Sequence, residues 1–171
     1  MKILAAVALV TVSMGLGGCA TVLNGTKQPY KTVTEPAGAA IKFSNGSSCN
    51  SPCELEQRRK DDMRVDISMA GYNPTYVLIQ SKLGGSAFGN ILAGGLIGGV
   101  VDGSNGASNK LVPNSPLTVR LSPVGSTDGA VINDEKGNVV MSVKQWNDSV
   151  RADVAKTVGP RLAGLEGNDP Q

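Results

Sequence analysis

Apolar and polar positions alternate in short runs through the middle of the chain. Met63, Val65, Ile67 and Met69 are interleaved with Arg64, Asp66, Ser68 and Ala70, and Leu117, Val119 and Leu121 with Thr118, Arg120 and Ser122. Shorter stretches of the same kind are Ile41-Lys42-Phe43 and Cys53-Glu54-Leu55-Glu56. A period of two with one polar face predicts half-buried strands. Tyr76-Val77-Leu78-Ile79 is a continuous apolar run and predicts a more central strand. Turn formers separate these runs: Pro36-Ala37-Gly38, Asn45-Gly46, Asp61-Asp62 and Gly71-Tyr72-Asn73-Pro74. Short strands with turns about every eight to twelve residues predict a mainly β chain, a small antiparallel β-sandwich.

The periodicity changes near the C-terminus. Val139, Val140, Val143, Trp146, Val150, Val154 and Val158 fall within about a 120° arc of a helical wheel. Ser142 followed three residues later by Gln145 has the form of a capping box, and Gly159-Pro160 is a stop signal. These signals predict a C-terminal amphipathic helix near 142–158, reached through a linker at Gly125-Ser126-Thr127-Asp128-Gly129. The run 134–138 is an alternative hairpin turn before it. Trp146 reads as a packing anchor and Arg58-Arg59-Lys60 as a solvated loop.

Two apolar runs fit neither period. The first, residues 3–12 after Met1-Lys2, is too short for a bilayer span, which takes about 20 residues, and suits the hydrophobic region of a secretory leader. It is followed by Leu16-Gly17-Gly18-Cys19, which resembles a bacterial lipobox. That resemblance implies diacylglyceryl transfer to the Cys19 sulfur, cleavage between Gly18 and Cys19, and acylation of the new amino group. It makes residues 1–18 a signal peptide and residues 19–28 a tether. Stable anchoring takes two lipid signals, a condition that a triacylated cysteine meets. The residue after the cysteine is Ala20 rather than the Asp typical of inner-membrane retention, so the resemblance implies the outer membrane, facing the periplasm.

The second run is Leu83 to Val101, 19 residues without a charge and with seven glycines. Gly85 and Gly89, Gly94 and Gly98, and Gly95 and Gly99 have small-x-x-x-small spacing. On a helix Gly94, Gly95, Gly98 and Gly99 share a face, so two backbones can approach closely there. The segment resembles the glycine zippers of outer-membrane lipoproteins, which implies membrane contact or self-association. The alternatives are a glycine-rich loop folded over the sheet and, well below both, a true span. Each glycine costs about 1 kcal/mol against alanine in a water-exposed helix, so such a helix does not stand alone in water.

The turn residues carry a further resemblance. Glu35-Pro36-Ala37-Gly38-Ala39, a strand, Asn45-Gly46, Ser51-Pro52-Cys53 and Gly71-Tyr72 together are similar to a PEGA-type domain, with Ala37 where that family has Glu. The likeness covers about residues 29–82 and implies a compact β-sandwich used for binding or scaffolding on bacterial envelope proteins. The expected organisation is a PEGA-like β domain over 29–124, carrying a Gly-rich apolar helical insertion at 83–106, then the linker and helix over 125–171.

Once Cys19 is lipidated, Cys49 and Cys53 remain. Outside the cytosol such a pair reads as a disulfide, with a metal site or a redox dithiol as rivals. The composition narrows the chemistry. The chain has 171 residues, no histidine, 16 Lys+Arg against 14 Asp+Glu, and aromatics at only 4%. Without histidine, Ser-His-Asp, Cys-His and His-metal sites are excluded. The near-zero net charge argues against nucleic acid as a partner. No phosphate loop, carboxylate dyad or nucleophile-base pair is recognisable, and Asp61-Asp62 alone is weak for a cation. The expectation is therefore a non-enzymatic structural or interaction lipoprotein without cofactor or metal. Its partners are the membrane, through the anchor, and a second copy or another envelope protein. The alternative is a periplasmic module binding glycan or peptide.

Overall fold

The computed structural model describes residues 25–83 and 109–167. The chain runs through β1 (Lys27–Glu35), β2 (Ala40–Phe43), β3 (Ser48–Asn50), β4 (Cys53–Arg58), β5 (Met63–Ser68) and β6 (Thr75–Leu83). It continues with β7 (Asn109–Val112), β8 (Leu117–Arg120), β9 (Val131–Asn133), β10 (Val139–Ser142) and one helix, α1 (Val143–Val158). The strands form two five-stranded sheets, β10-β9-β8-β1-β4 and β3-β2-β5-β6-β7. The molecule is a small β-sandwich with a C-terminal helix, and one pair departs from the antiparallel expectation. β8 lies parallel to β1, with Thr32 opposite Leu117 and Thr34 opposite Val119. A parallel pair needs a long crossover, and here the whole second sheet supplies it.

The core lies between the sheets. Ile41 and Phe43 of β2, Val65 and Ile67 of β5 and Val77 and Ile79 of β6 are in register on one face and buried. Leu117, Val119 and Ile132 are buried from the other sheet. Tyr30 meets Phe43 across the interface edge-on, with ring centroids 6.5 Å apart, an arrangement that aromatic quadrupoles favour. The Tyr30 hydroxyl donates to the Pro113 carbonyl at 2.8 Å, so the phenol is buried without losing its partner. The turn at Asn45-Gly46 needs its glycine. Gly46 has φ +92°, where a Cβ is strained, and its N–H closes the turn on the Phe43 carbonyl at 3.0 Å.

The first sheet continues past residue 124. β9 pairs with β8, and β10 with β9, through the 134–138 turn. Val139 and Val140, which the helical wheel places on the helix arc, therefore belong to a strand, and α1 begins at Val143. Ser142 is its N-cap, with Oγ accepting from the Gln145 N–H at 3.1 Å. Gly159, with φ +89°, closes the other end by donating to the Ala155 carbonyl. The 125–129 stretch follows a segment docked on the 71–73 turn. Asn73 N–H donates to the Ser122 carbonyl at 2.8 Å and Val124 N–H to the Gly71 carbonyl at 3.0 Å.

α1 completes β6. β7 covers only Gln80 to Leu83 of that strand, so the edge at Tyr76 and Leu78 has no strand beside it. Side chains of α1 take the strand's place. Asn147 accepts from the Leu78 N–H at 2.9 Å and donates to the Tyr76 carbonyl at 2.8 Å. The Trp146 indole N–H donates to the Leu78 carbonyl at 2.7 Å. Both residues are buried, Trp146 completely, so Trp146 is an anchor that also carries a hydrogen bond. Val150 and Val154 fill the remaining contact. Asn147→Ala leaves a buried N–H and a buried carbonyl without these partners, at about 1–3 kcal/mol each. The expected loss is about 3 kcal/mol, read from urea denaturation, against a few tenths for Asp148→Ala on the exposed side of the same turn.

Candidate functional site

The residues that gather at one end of the sandwich come from four separate stretches of chain. Arg59, in the turn after β4, donates its backbone N–H to the Thr26 carbonyl at 2.9 Å. Its Nε donates to the Lys27 carbonyl at 3.1 Å, and Nη1 to Gln28 Oε1 at 3.0 Å and to the Asn109 carbonyl at 3.3 Å. Ser81 Oγ donates to the Arg59 carbonyl at 2.7 Å and accepts from Asn109 Nδ2 at 2.7 Å. The basic run 58–60 is thus more than a solvated loop: Arg58 and Lys60 are exposed, but Arg59 is half-buried and structural. One guanidinium ties the start of β1 to the start of β7.

Asp62 belongs to the same end and is also consumed by the fold. Its Oδ1 accepts from the Ser81 N–H at 2.7 Å, and its Oδ2 from the Thr157 hydroxyl at the end of α1. Burial pushes the Asp62 carboxyl above the usual carboxylate range; the hydrogen bonds from Ser81 and Thr157 oppose this, and the charges of Asp153 and Asp61 add to it. Among the described residues no three His, Cys, Asp or Glu side chains gather to hold a metal ion, and no helix is long and apolar enough to cross a membrane.

Cys49 and Cys53 have their sulfurs 2.02 Å apart, at bonding distance. They sit at the corner where the chain leaves β3 at the edge of one sheet for β4 at the edge of the other. Between them Ser51 is buried. It donates its N–H to the Ala39 carbonyl at 2.9 Å, accepts from the Gly38 N–H at 2.8 Å, and its Oγ accepts from the Thr34 N–H at 2.6 Å. The corner thus joins both sheets and the Pro36-Ala37-Gly38 turn. Cys19 and Gly18, and the glycines Gly85, Gly89, Gly94, Gly95, Gly98 and Gly99, lie outside the described residues.

The opposite end holds an open cleft of about 850 Å³ lined by Glu35, Tyr72, Arg120, Pro123 and Asp128. Tyr72 is its half-exposed aromatic, and Arg120 lies opposite Glu35 in register. No pair of side chains in this cleft has the arrangement of a nucleophile and its base. Comparison with known proteins found no matching family, no matching curated protein and no matching solved structure.

Two measurements check this geometry. Non-reducing mass spectrometry of the protein isolated without reductant should find Cys49 and Cys53 joined, and replacing both by Ser should lower stability by about 2 kcal/mol, the value for so small a ring; two alkylatable thiols in fresh protein would contradict the pairing. For Asp62 the native state keeps its proton to a higher pH than the unfolded chain, whose reference value is 3.8. The native state then binds more protons, so this group's contribution makes stability fall as pH rises above 3.8 through the raised native value. Asp62→Asn should therefore gain on the wild type across that interval and hold a constant difference above it, read from melts between about pH 3 and pH 7. A difference independent of pH would show that the carboxyl is not perturbed.

Proposed function

We propose that this chain is a lipid-anchored, non-enzymatic structural or interaction module of the bacterial cell envelope, held at the outer membrane through Cys19 and facing the periplasm. The lipobox-like Leu16-Gly17-Gly18-Cys19 after a short apolar leader supports the anchor. The observation that carries the reading is where the chain enters and leaves the sandwich. Leu83 and Asn109 are register partners at the end of β6 and β7, so the glycine-rich segment joins the two arms of a hairpin. Arg59 bonds both Asn109 and Lys27, so that hairpin and the N-terminal tether open at the same end. Cys19 is eight residues from Lys27, which limits that end to about 28 Å from the lipid attachment point. An anchor and an uncharged, glycine-rich segment then face one membrane together. The glycine face is the surface for membrane contact or for a second copy, and the PEGA-like sandwich is the part displayed. Histidine-free composition supports a role without catalysis. The cleft at the far end, with Tyr72 and Arg120 on its wall, favours glycan or peptide binding as the second reading.

Cys19→Ser tests the anchor. In a Gram-negative host the variant should accumulate as an unprocessed precursor and lack the mass of the acyl chains. A variant that is cleaved and partitions like the wild type would overturn the assignment.

A further inference from the structure

The in-register charges of the two sheets follow a rule that is broken at one end. Away from that end, charged residues opposite each other have opposite sign: Lys31 faces Glu54, Glu35 faces Arg120 and Lys42 faces Asp66. At the end where the tether enters, Lys27 faces Arg58 across β1 and β4, and Lys82 faces Lys110 across β6 and β7. Like charges directly opposite each other destabilise a sheet, so two such pairs at one end are a cost that folding does not explain. Arg59 and Lys60 lie in the turn between them. Lys27, Arg58, Lys60 and Lys110 are exposed. The neighbouring acids are mostly engaged. Asp62 accepts two hydrogen bonds. Asp153 is held low by a hydrogen bond from Lys156, with Lys82 contributing. Glu56 is one position removed on β4, and Asp61 lies in the turn.

We infer that this basic collar is a docking surface for anionic lipid headgroups, which seats the sandwich end-on against the membrane that carries its anchor. The collar lies at the end where the tether enters, with Arg59 bonded to both Lys27 and Asn109. The approximately 28 Å tether keeps the local concentration of headgroups high, so that weak electrostatic contacts suffice. Leu83, 37% exposed beside Lys82 and Lys110, places an apolar side chain where the collar would meet the interface. The inference deepens the envelope-lipoprotein reading. It is tested without the anchor, so that the two fail separately: a chain that carries lipid on Cys19 but does not bind anionic vesicles removes only the collar.

The experiment uses the leaderless chain, residues 19–171 with Cys19→Ser, and sedimentation with vesicles of phosphatidylcholine, alone or mixed with phosphatidylglycerol. Binding is expected to the mixed vesicles over the neutral ones and to fall as salt shortens the screening length. Lys27→Gln with Lys110→Gln, one cation from each sheet, should weaken it roughly 25-fold at low salt. The control removes equal charge away from the collar, Lys42→Gln with Lys144→Gln, and should bind as the parent does. Equal binding to both vesicle types, equal loss in both double variants, or tighter binding to a DNA duplex than to the mixed vesicles would each overturn the proposal. All four substituted side chains are exposed, and a thermal melt matching the parent confirms that each variant is folded.

Discussion

The free edge of β6 is the constraint from which the rest of the architecture follows. β6 is nine residues long, and its neighbour β7 covers only the last four. The exposed backbone groups of Tyr76 and Leu78 are a template for pairing with another chain and, when buried, a cost of several kcal/mol. Asn147 resolves this by presenting one amide as both donor and acceptor, which is what a partnering strand would offer. Trp146 supplies the third bond and the apolar bulk beside it. The helix therefore cannot be a detachable tail. Its position is set by three hydrogen bonds to one strand, and its last turn is then fixed by Thr157 on Asp62. Arg151 continues the fit, donating to the Tyr76 hydroxyl at 3.1 Å, while Arg64 stacks on the Tyr76 ring at 3.9 Å from its centroid.

That closure also determines from which end of the molecule the 84–108 connection leaves. With α1 occupying the Tyr76–Leu78 half of β6, β7 can only pair with the other half, and the 84–108 connection leaves from the end that holds Lys82. β1 starts at the same end because it runs antiparallel to β4, with Lys27 beside Arg58. Arg59 then needs only one side chain to reach both. Three chain passages converge there as a result of strand direction, which brings Lys27, Arg58, Lys82 and Lys110 to one end.

The parts of this fold that were legible in the sequence are those in which side-chain polarity matches side-chain position. β5 and β8 alternate cleanly, and β6 reads as a central run because α1 covers one face and the core the other. β1 is illegible because its polarity is inverted: Tyr30, Thr32 and Thr34 point inward while Val33 is only half-buried. Thr34 is tolerated because its Oγ1 donates to the Pro36 carbonyl at 2.7 Å, whereas the buried Thr32 hydroxyl has no hydrogen-bond partner among the described residues. β9 and β10 are reflected in the sequence only through the alternative hairpin turn at 134–138, for a different reason. They are three and four residues long, and two of the β10 valines fall on a helical arc by coincidence of period. A single Asp-to-Asn turn carries the hairpin: Asp134 accepts from the Lys136 and Asn138 N–H groups at 2.8 Å each. The turn residues around Pro36, Asn45 and Gly71 were read correctly because turn chemistry is local.

The candidate site was half legible for a related reason. Charge runs such as 58–60 show that cations are present but not whether they are spent on the fold, and here the middle one is spent while its neighbours are free. Register decides the matter, and register is a property of strand pairs separated by about 30 residues, as in Lys27 and Arg58. The same logic sorts the acids. Asp62 is only a weak cation-ligand signal in sequence and is a bracket between β6 and α1 in space. With Arg59, Asp62, Asn147 and Trp146 assigned to internal bonds, each end of the sandwich still carries exposed polar groups. The tether end offers cations around the points where the chain enters and leaves, and the far end offers Tyr72 and Arg120 on an open wall. The proposed anchored module would use this distribution directly, with the Lys27 end for attachment and the Tyr72 end for a partner.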